Sequence, residues 1–206
     1  SFSFDDRLAG ELARLTDMQL MDTKVWRLFV ELFRHPGVDD ADSGWRCEYW
    51  GKMMRGACFT YRVTGDEALY AVLEETVRDM LGAEDSLGRF STYSVGAEFH
   101  GWDIWGRKYI LLGMEYFAEI CRDPALVERI VTAMAHHVDY MIGKFGREED
   151  GKINIAKATT HWAGLNSCSI LEPVMFLYNI TGEARFLMFA EYILSFGGTA
   201  SVNLFD

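Results

Sequence analysis

The sequence predicts an all-α protein built from antiparallel helical hairpins. Apolar residues recur at the three- and four-residue spacing of amphipathic helices through most of the chain, and only three prolines interrupt it. The clearest helical faces are Leu69, Val72, Leu73, Val77 and Met80, and Leu126, Ile130, Val131, Met134, Val138, Met141 and Ile142. A chain of 206 residues is long enough for one well-buried domain, and we expect a single domain over 1–206.

Turn signals divide the chain into pairs of helices. Glycine followed by an acidic residue ends one helix and begins the next at Thr64-Gly65-Asp66 and at Thr181-Gly182-Glu183. Asp123-Pro124 supplies an N-cap and a first-turn proline. These signals predict a first pair at about 6–21 and 24–34, and three hairpins at 46–63 with 66–82, 103–121 with 124–145, and 166–180 with 183–196.

The predicted connections alternate between short and long. Turns within the hairpins are short, whereas the connections between them are long: 35–45, 83–102 and 146–165. In stacked antiparallel hairpins all the long connections lie at one end, and long loops in compact domains are usually functional. We therefore expect the functional site where these three segments meet.

Aromatic and polar residues concentrate in these long connections. Of the six tryptophans, only Trp26 lies away from them. The others are Trp45, Trp50, Trp102, Trp105 and Trp162, with Tyr49, Phe90, Tyr93 and Phe99 nearby and with Glu48, Lys52, Arg89, His100, Asp103, Arg107, Lys108, His161 and Asn166 interleaved. Flat aromatic faces beside hydrogen-bonding groups suit a sugar ring. The alternative, that these aromatics only brace loops against helix ends, stays open.

Charge and cysteine content narrow the function classes. A net charge of −11 with a pI near 4.9 disfavours nucleic acid and anionic membranes, so we expect a neutral ligand. The scattered cysteines, Cys47, Cys58, Cys121 and Cys168, predict reduced structural thiols. No run approaches the ~20 apolar residues of a membrane helix. The opening SFSFDDRLAG lacks signal-peptide features, so we expect a cytoplasmic protein.

Motifs for other chemistries are missing from the sequence, and single residues leave alternatives open. No GxGxxG after a strand, GxSxG or HExxH occurs.

His136 and His137 are adjacent on a helix, which favours a structural or surface role over a metal site. His100 and His161 are candidates for the ligand site or for bracing loops. Glu172 precedes a proline that predicts a helix kink, and is either a buried acid or a cap.

Three segments resemble glycoside hydrolase family 127, the bacterial β-L-arabinofuranosidases and their relatives. They are GRFSTYSVGAEFHGWDIWGRKYILLGMEY at 88–116, YWGKMMRGACFTYRVTGDEALY at 49–70 and HWAGLNSCSILEPVMFLYNITGEARFLMFAEYIL at 161–194. The resemblance implies the N-terminal half to two-thirds of an (α/α)6 barrel, an incomplete toroid. It also implies hydrolysis of terminal L-arabinofuranose from glycans, with the remainder of the barrel supplied by the same polypeptide or by another chain.

The resemblance places the bond-cleaving residues elsewhere. In the family a zinc-held cysteine thiolate attacks the anomeric carbon and a glutamate is the acid/base, and both would lie beyond residue 206. We therefore assign no catalytic or metal residue here, and expect no cofactor on this stretch, with zinc only in the full-length enzyme. The predicted substrate-binding residues are Trp50, Lys52, Trp102, Asp103, Arg107, Lys108, His161 and Trp162. Lys108 falls where the arabinofuranosidases have a substrate-binding histidine.

Two other hypotheses remain beside the glycoside hydrolase. The first is a non-catalytic helical scaffold that binds a carbohydrate or a protein through its aromatic loops. The second is another reaction on the same barrel type, such as sugar epimerisation, which needs a general-base pair that the sequence does not reveal.

Overall fold

The structure is a computed structural model that describes residues 6–204. Within this range the protein is all-helical and contains no β-strand, as the sequence predicts. The α-helices are α1 (Asp6–Leu15), α2 (Thr23–Arg34), α3 (Tyr49–Thr64), α4 (Glu67–Leu81), α5 (Asp103–Ala118), α6 (Pro124–Lys144), α7 (Leu165–Cys168), α8 (Leu171–Thr181) and α9 (Ala184–Leu194). None of the helices described is long and apolar enough to cross a membrane.

The predicted turn chemistry sets the hairpin junctions. Gly65 and Gly182 end α3 and α8 in the left-handed conformation, with φ of 65° and 67°. The Asp66 carboxylate accepts the backbone N–H groups of Ala68 and Leu69 at the start of α4, 2.9 and 3.2 Å away. Asp123 caps α6 in the same way. Local side-chain chemistry thus fixes where each of these hairpins turns.

The first predicted helix is interrupted. It ends at Leu15 and is followed by a π-helical turn over Thr16–Leu20, whereas the sequence predicts one helix to about residue 21. The Thr16 hydroxyl donates back to the Leu12 carbonyl at 2.9 Å. The Trp26 indole N–H of α2 binds the Leu20 carbonyl at 2.8 Å. The Met21 N–H donates to the Thr16 carbonyl at 3.0 Å, which is the five-residue backbone bond of a π-turn, and the two side-chain bonds lie at its ends.

The third hairpin breaks before its proline. α7 ends at Cys168 and α8 begins at Leu171, so Pro173 lies in the first turn of a new helix instead of inside a long one. Backbone N–H groups in a first helical turn have no intrahelical acceptor, and a proline costs nothing there. The predicted kink is thus a break between two helices. Glu172 is half-buried and pairs with Lys108, with 3.0 Å between Oε2 and Nζ.

The core is densest where α3 packs on α5. Glycines let the two backbones approach, because a Cβ atom at Gly51 would lie 1.9 Å from the Tyr109 carbonyl oxygen. At Gly106 it would lie 2.0 Å from the Cys47 sulfur. The fully buried Trp50 ring meets Trp26 edge to face at 6.4 Å. This interface fixes α5, whose first turn carries Trp105, against the rest of the protein.

One buried carboxyl group in this core has no hydrogen-bond partner. Glu115 on α5 is 3% exposed, and neither of its carboxyl oxygens contacts a donor. Loss of hydration raises its pKa to about 10, and the nearby charges of Glu172 and Glu119 add to the shift. Glu115 is therefore a neutral acid at neutral pH.

Replacement of Glu115 by leucine is expected to stabilise the protein increasingly as pH rises. The folded state keeps a proton on Glu115 up to about pH 10, whereas the unfolded chain releases it near 4.5, so raising the pH between these values favours unfolding. The slope from this one group approaches ~1.4 kcal/mol per pH unit. Urea unfolding of wild type and Glu115→Leu at pH 5, 6.5 and 8 measures how the difference in their free energies of unfolding changes with pH.

The matched control is Glu128→Leu, which replaces an exposed glutamate on α6. Its free energy of unfolding should follow that of the wild type at all three pH values. A difference between wild type and Glu115→Leu that stays constant with pH would contradict a neutral Glu115.

Candidate functional site

The three long connections meet at one end of the hairpins, as the sequence predicts. They are called the first, second and third loops: 35–45, 82–102 and 145–164. The first and second loops are joined by a hydrogen bond from the Gly37 N–H to the Thr92 carbonyl at 2.7 Å and another from the Thr92 hydroxyl to Asp39 at 2.6 Å. The third meets the second where His161 stacks on Trp102, with ring centroids 4.4 Å apart.

A buried network of charged residues holds the second loop on α5. Glu98 accepts hydrogen bonds from the guanidinium groups of Arg89 at 2.8 Å and Arg107 at 2.9 Å, and from the Tyr140 hydroxyl at 2.5 Å. Arg107 also donates to Asp103 at 3.0 Å. Arg89 also donates to Asp85 at 2.7 Å, so two guanidinium groups face three carboxylates in this network.

Asp103 ties the same network to the loop backbone. Its carboxylate accepts the Ser91 hydroxyl at 2.5 Å and the Phe99 N–H at 2.8 Å. Phe99 has a left-handed backbone, with φ of 67°, and the Arg107 guanidinium lies 4.7 Å from its ring centroid. The loop is therefore fixed in one conformation just before Trp102.

A cavity of about 220 Å³ lies where residues of all three loops meet the starts of α3 and α5. Four indole rings and one ion pair line it: Trp45, Trp102, Trp105, Trp162, Glu48 and Lys52. Trp102, Trp105 and Trp162 meet edge to face in all three pairings, with centroids 5.1 to 6.0 Å apart. These six residues are called the tryptophan pocket below.

Trp105 is the centre of the charged part of the tryptophan pocket. Its indole N–H donates to Glu48, and the other oxygen of Glu48 binds the Lys52 ammonium at 2.8 Å. The ammonium groups of Lys52 and Lys108 lie 5.6 and 5.2 Å from the Trp105 ring centroid. Lys108 in turn pairs with Glu172, so two lysine–glutamate pairs flank a single indole ring.

A turn in unusual backbone geometry presents Trp162. Trp162 and Ala163 both have left-handed dihedrals, with φ of 49° and 51°, and Gly164 follows with φ of 87°. Left-handed backbone costs ~1–2 kcal/mol for each residue with a side chain. The Ala200 N–H braces the turn by donating to the Ala163 carbonyl at 2.7 Å. The 56% exposed Trp162 ring is thereby held over Trp102 and Trp105.

The predicted site residues divide into three groups. Lys52, Trp102 and Trp162 line the tryptophan pocket. His161 and Lys108 flank it, through stacking on Trp102 and proximity to Trp105. Trp50, Asp103 and Arg107 do not reach it: all three are buried, Trp50 with its indole N–H on Thr76 at 3.0 Å and the other two in the network around Glu98.

Three pocket residues are absent from the predicted set. Trp45, Glu48 and Trp105 all belong to the aromatic and polar concentration that the sequence reveals. The four-residue spacing of Glu48 and Lys52 could have identified Glu48, because residues at this spacing lie on one helix face and can form an ion pair. Trp105 has the same relation to Tyr109, whose ring it meets at 5.1 Å.

The remaining candidates are structural or lie at the surface. His136 is exposed and pairs with Glu84 at 3.0 Å, whereas His137 is buried and accepts the Phe90 N–H at 3.0 Å. Arg89 belongs to the buried network, Asn166 donates to the Gly101 carbonyl at 3.2 Å, and His100 is exposed.

The four cysteines are free thiols, in agreement with the sequence analysis. Burial raises the pKa of Cys58 to about 12 and that of Cys168 to about 11, and it raises the pKa of Cys47 well above its ordinary value. These three thiols stay protonated at neutral pH and are poor nucleophiles. Over residues 6–204 the histidine, cysteine and acidic side chains form no cluster of three or more arranged to hold a metal ion.

Comparison with known proteins adds no relative. No protein-family profile matches the sequence, and no curated protein is significantly similar to it. The resemblance to glycoside hydrolase family 127 therefore depends on the three quoted segments alone.

Replacement of Ala163 by glycine is expected to stabilise the protein by about 1 kcal/mol, because glycine adopts the left-handed conformation without a Cβ clash. The same replacement at Ala71, exposed in the middle of α4, should instead destabilise by about 0.5–1 kcal/mol. Thermal unfolding of both variants measures the two opposite shifts. A loss of stability in Ala163→Gly equal to that of Ala71→Gly would rule out backbone strain at this turn.

Proposed function

We propose that the tryptophan pocket binds one neutral sugar ring, as part of a glycoside hydrolase that acts on terminal furanosides of glycans. The observation that carries this proposal is that four indole rings and the Glu48–Lys52 pair line one small, open cavity. The C–H faces of a sugar pack on aromatic surfaces, and its hydroxyl groups require directional donors and acceptors. Both are present around this cavity.

The charged groups of the pocket suit adjacent hydroxyl groups. A carboxylate accepts and an ammonium donates, so the Glu48–Lys52 pair offers both functions to a ligand. Lys52 is 44% exposed along its side chain, whereas Glu48 is only 14% exposed and is fixed by Trp105. Glu48 would orient the sugar, and Lys52 would move to meet it. With a net charge of −11, the protein is better suited to a neutral ligand than to an anionic one.

The hydrolase assignment and the (α/α)6 barrel go beyond the pocket itself. They are supported by the resemblance of 49–70, 88–116 and 161–194 to glycoside hydrolase family 127, and the helical hairpins are compatible with such a barrel. In this proposal the chain binds and orients the sugar. The residues that cleave the bond, and zinc if it is used, belong to the full-length enzyme.

A protein-binding scaffold is the second candidate, and exposed apolar residues on the last hairpin favour it. Ile180 on α8 and Met188 on α9 are 51% and 66% exposed, and Phe176 and Leu194 are also exposed. Contiguous apolar surface marks interaction sites. The same surface would suit the remaining helices of a barrel, from this polypeptide or another chain.

Sugar binding is expected to depend on Trp162. Isothermal titration with methyl β-L-arabinofuranoside should give a measurable Kd, and Trp162→Ala should weaken it at least tenfold, about 1.4 kcal/mol, since one stacking face is lost. The control Met188→Ala removes an exposed apolar side chain outside the tryptophan pocket and should leave the Kd unchanged. Equal affinity of wild type and Trp162→Ala for the sugar would contradict the proposal that the tryptophan pocket binds it.

Hydrolysis is tested separately on the full-length protein. A panel of aryl glycosides, assayed with zinc, should show turnover of at least one furanoside. No turnover on any furanoside would defeat the hydrolase proposal while leaving sugar binding intact.

The scaffold candidate predicts association through the last hairpin. Light scattering of this chain together with binding of a dye for apolar surface should reveal self-association or strong dye binding, and Ile180→Lys with Met188→Lys should reduce both. A monodisperse monomer with little dye binding would contradict an interaction surface there.

A further inference from the structure

An apolar groove adjoins the tryptophan pocket. It has a volume of about 380 Å³ and lies between the first helices and α3. Its lining is dominated by Leu15, Leu20, Phe29, Tyr49, Met53 and Gly56. Lys52 lines both the groove and the tryptophan pocket, so the two cavities share one side chain as a wall.

The face of α3 explains why the two cavities differ in chemistry. Glu48 and Lys52 follow each other at four-residue spacing along one strip of the helix, and Tyr49 and Met53 do so along the next. The Lys52 ammonium is held on the pocket side, by Glu48 at 2.8 Å and over the Tyr109 ring at 4.8 Å. An amphipathic lysine thus presents its charge to the tryptophan pocket and its methylene stem to apolar surroundings.

The tryptophan pocket by itself is smaller than most ligand sites, whereas the pocket and the groove together are not. Small-molecule sites usually measure ~300–1,000 Å³. The tryptophan pocket, at about 220 Å³, falls below this range, and the groove, at about 380 Å³, brings the pair well within it. A ligand with one part in each cavity would fill a site of ordinary size.

We propose that the groove holds the apolar aglycone of a glycoside whose sugar lies in the tryptophan pocket. This inference rests on the proposed function, because it uses the sugar as the anchor. The polar groups among the groove residues are the Lys52 ammonium, the Gln19 amide and the Tyr49 hydroxyl, and the rings of Phe29 and Tyr49 pack against each other at 5.6 Å. A second sugar would leave hydroxyl groups facing carbon, at a cost, whereas an aromatic or alkyl group gains from burial there.

Gly56 gives a direct way to test the groove. It lies on an exposed part of α3, and a Cβ atom built there meets no other atom within 4 Å. Because Gly56 lines the groove and its Cβ position is open, a leucine there is expected to fill part of the groove. Leucine is also a better helix former than glycine, so the variant is expected to fold.

The experiment compares methyl and phenyl β-L-arabinofuranoside by isothermal titration with wild type, Gly56→Leu and Gly143→Leu. Phenyl glycoside should bind wild type at least tenfold more tightly than methyl glycoside, and this ratio should fall to near one in Gly56→Leu. Gly143→Leu makes the same change on α6, where a Cβ is also unobstructed, and should keep the wild-type ratio.

Each other outcome overturns a defined part of the inference. If methyl glycoside binds and phenyl glycoside gains nothing, the groove is not an aglycone site and the sugar pocket stands. A β-L-arabinofuranosyl disaccharide that binds more tightly than phenyl glycoside, with the gain lost in Gly56→Leu, would assign the groove to a second sugar instead. If neither monosaccharide glycoside binds, the proposed function fails and the aglycone inference fails with it.

Discussion

The buried ion pairs around Glu98 and Arg107 are the constraint on which the loop end of the molecule depends. They join the second loop to α5 and, through Tyr140, to α6. Buried charges are costly unless every one is paired, and loss of a single partner typically costs ~3–5 kcal/mol. A loop held in this way has one conformation. Phe99, which adopts a left-handed backbone, is kept there by the Asp103 carboxylate and the Arg107 guanidinium.

α5 connects this network to the tryptophan pocket, because its two faces make different contacts. Asp103 and Arg107 lie four residues apart on the inward face and belong to the network, whereas Trp105 and Tyr109 lie four apart on the pocket side. Close packing on α3 through Gly51 removes the remaining freedom of the helix. On the Trp105 side the tryptophan pocket thus has a helical floor, whereas its other three indole rings belong to the loops.

Local chemistry made the hairpins predictable, and topology made the convergence of the loops predictable. The Asp66 and Asp123 caps and the glycines after α3 and α8 act within a few residues, so sequence signals suffice. Asp103 and Arg107 point inward because they contact Ser91 and Glu98. Residue spacing in the sequence does not reveal these tertiary contacts, so the sequence did not predict this direction. The same holds for Trp50, whose burial follows from the packing of α3 on α5. The sequence identified Trp105 only as one of the aromatic residues that cluster around the long loops, and not as a residue of the pocket.

The walls of the tryptophan pocket differ in how firmly they are held, and this difference bears on binding. Trp102 and Trp105 are half-buried and anchored by the floor, whereas Trp45 and Trp162 are 53% and 56% exposed. Trp162 is nevertheless positioned before any ligand arrives, because its strained turn is braced by Ala200 and its ring already meets both inner indoles. Ordering such a side chain in advance lowers the entropy lost on binding. The left-handed turn at Trp162 and Ala163 therefore joins two features: the exposed Trp162 ring over the inner indoles, and the buried Gly164, where a Cβ would lie 1.9 Å from the Ala156 carbonyl oxygen.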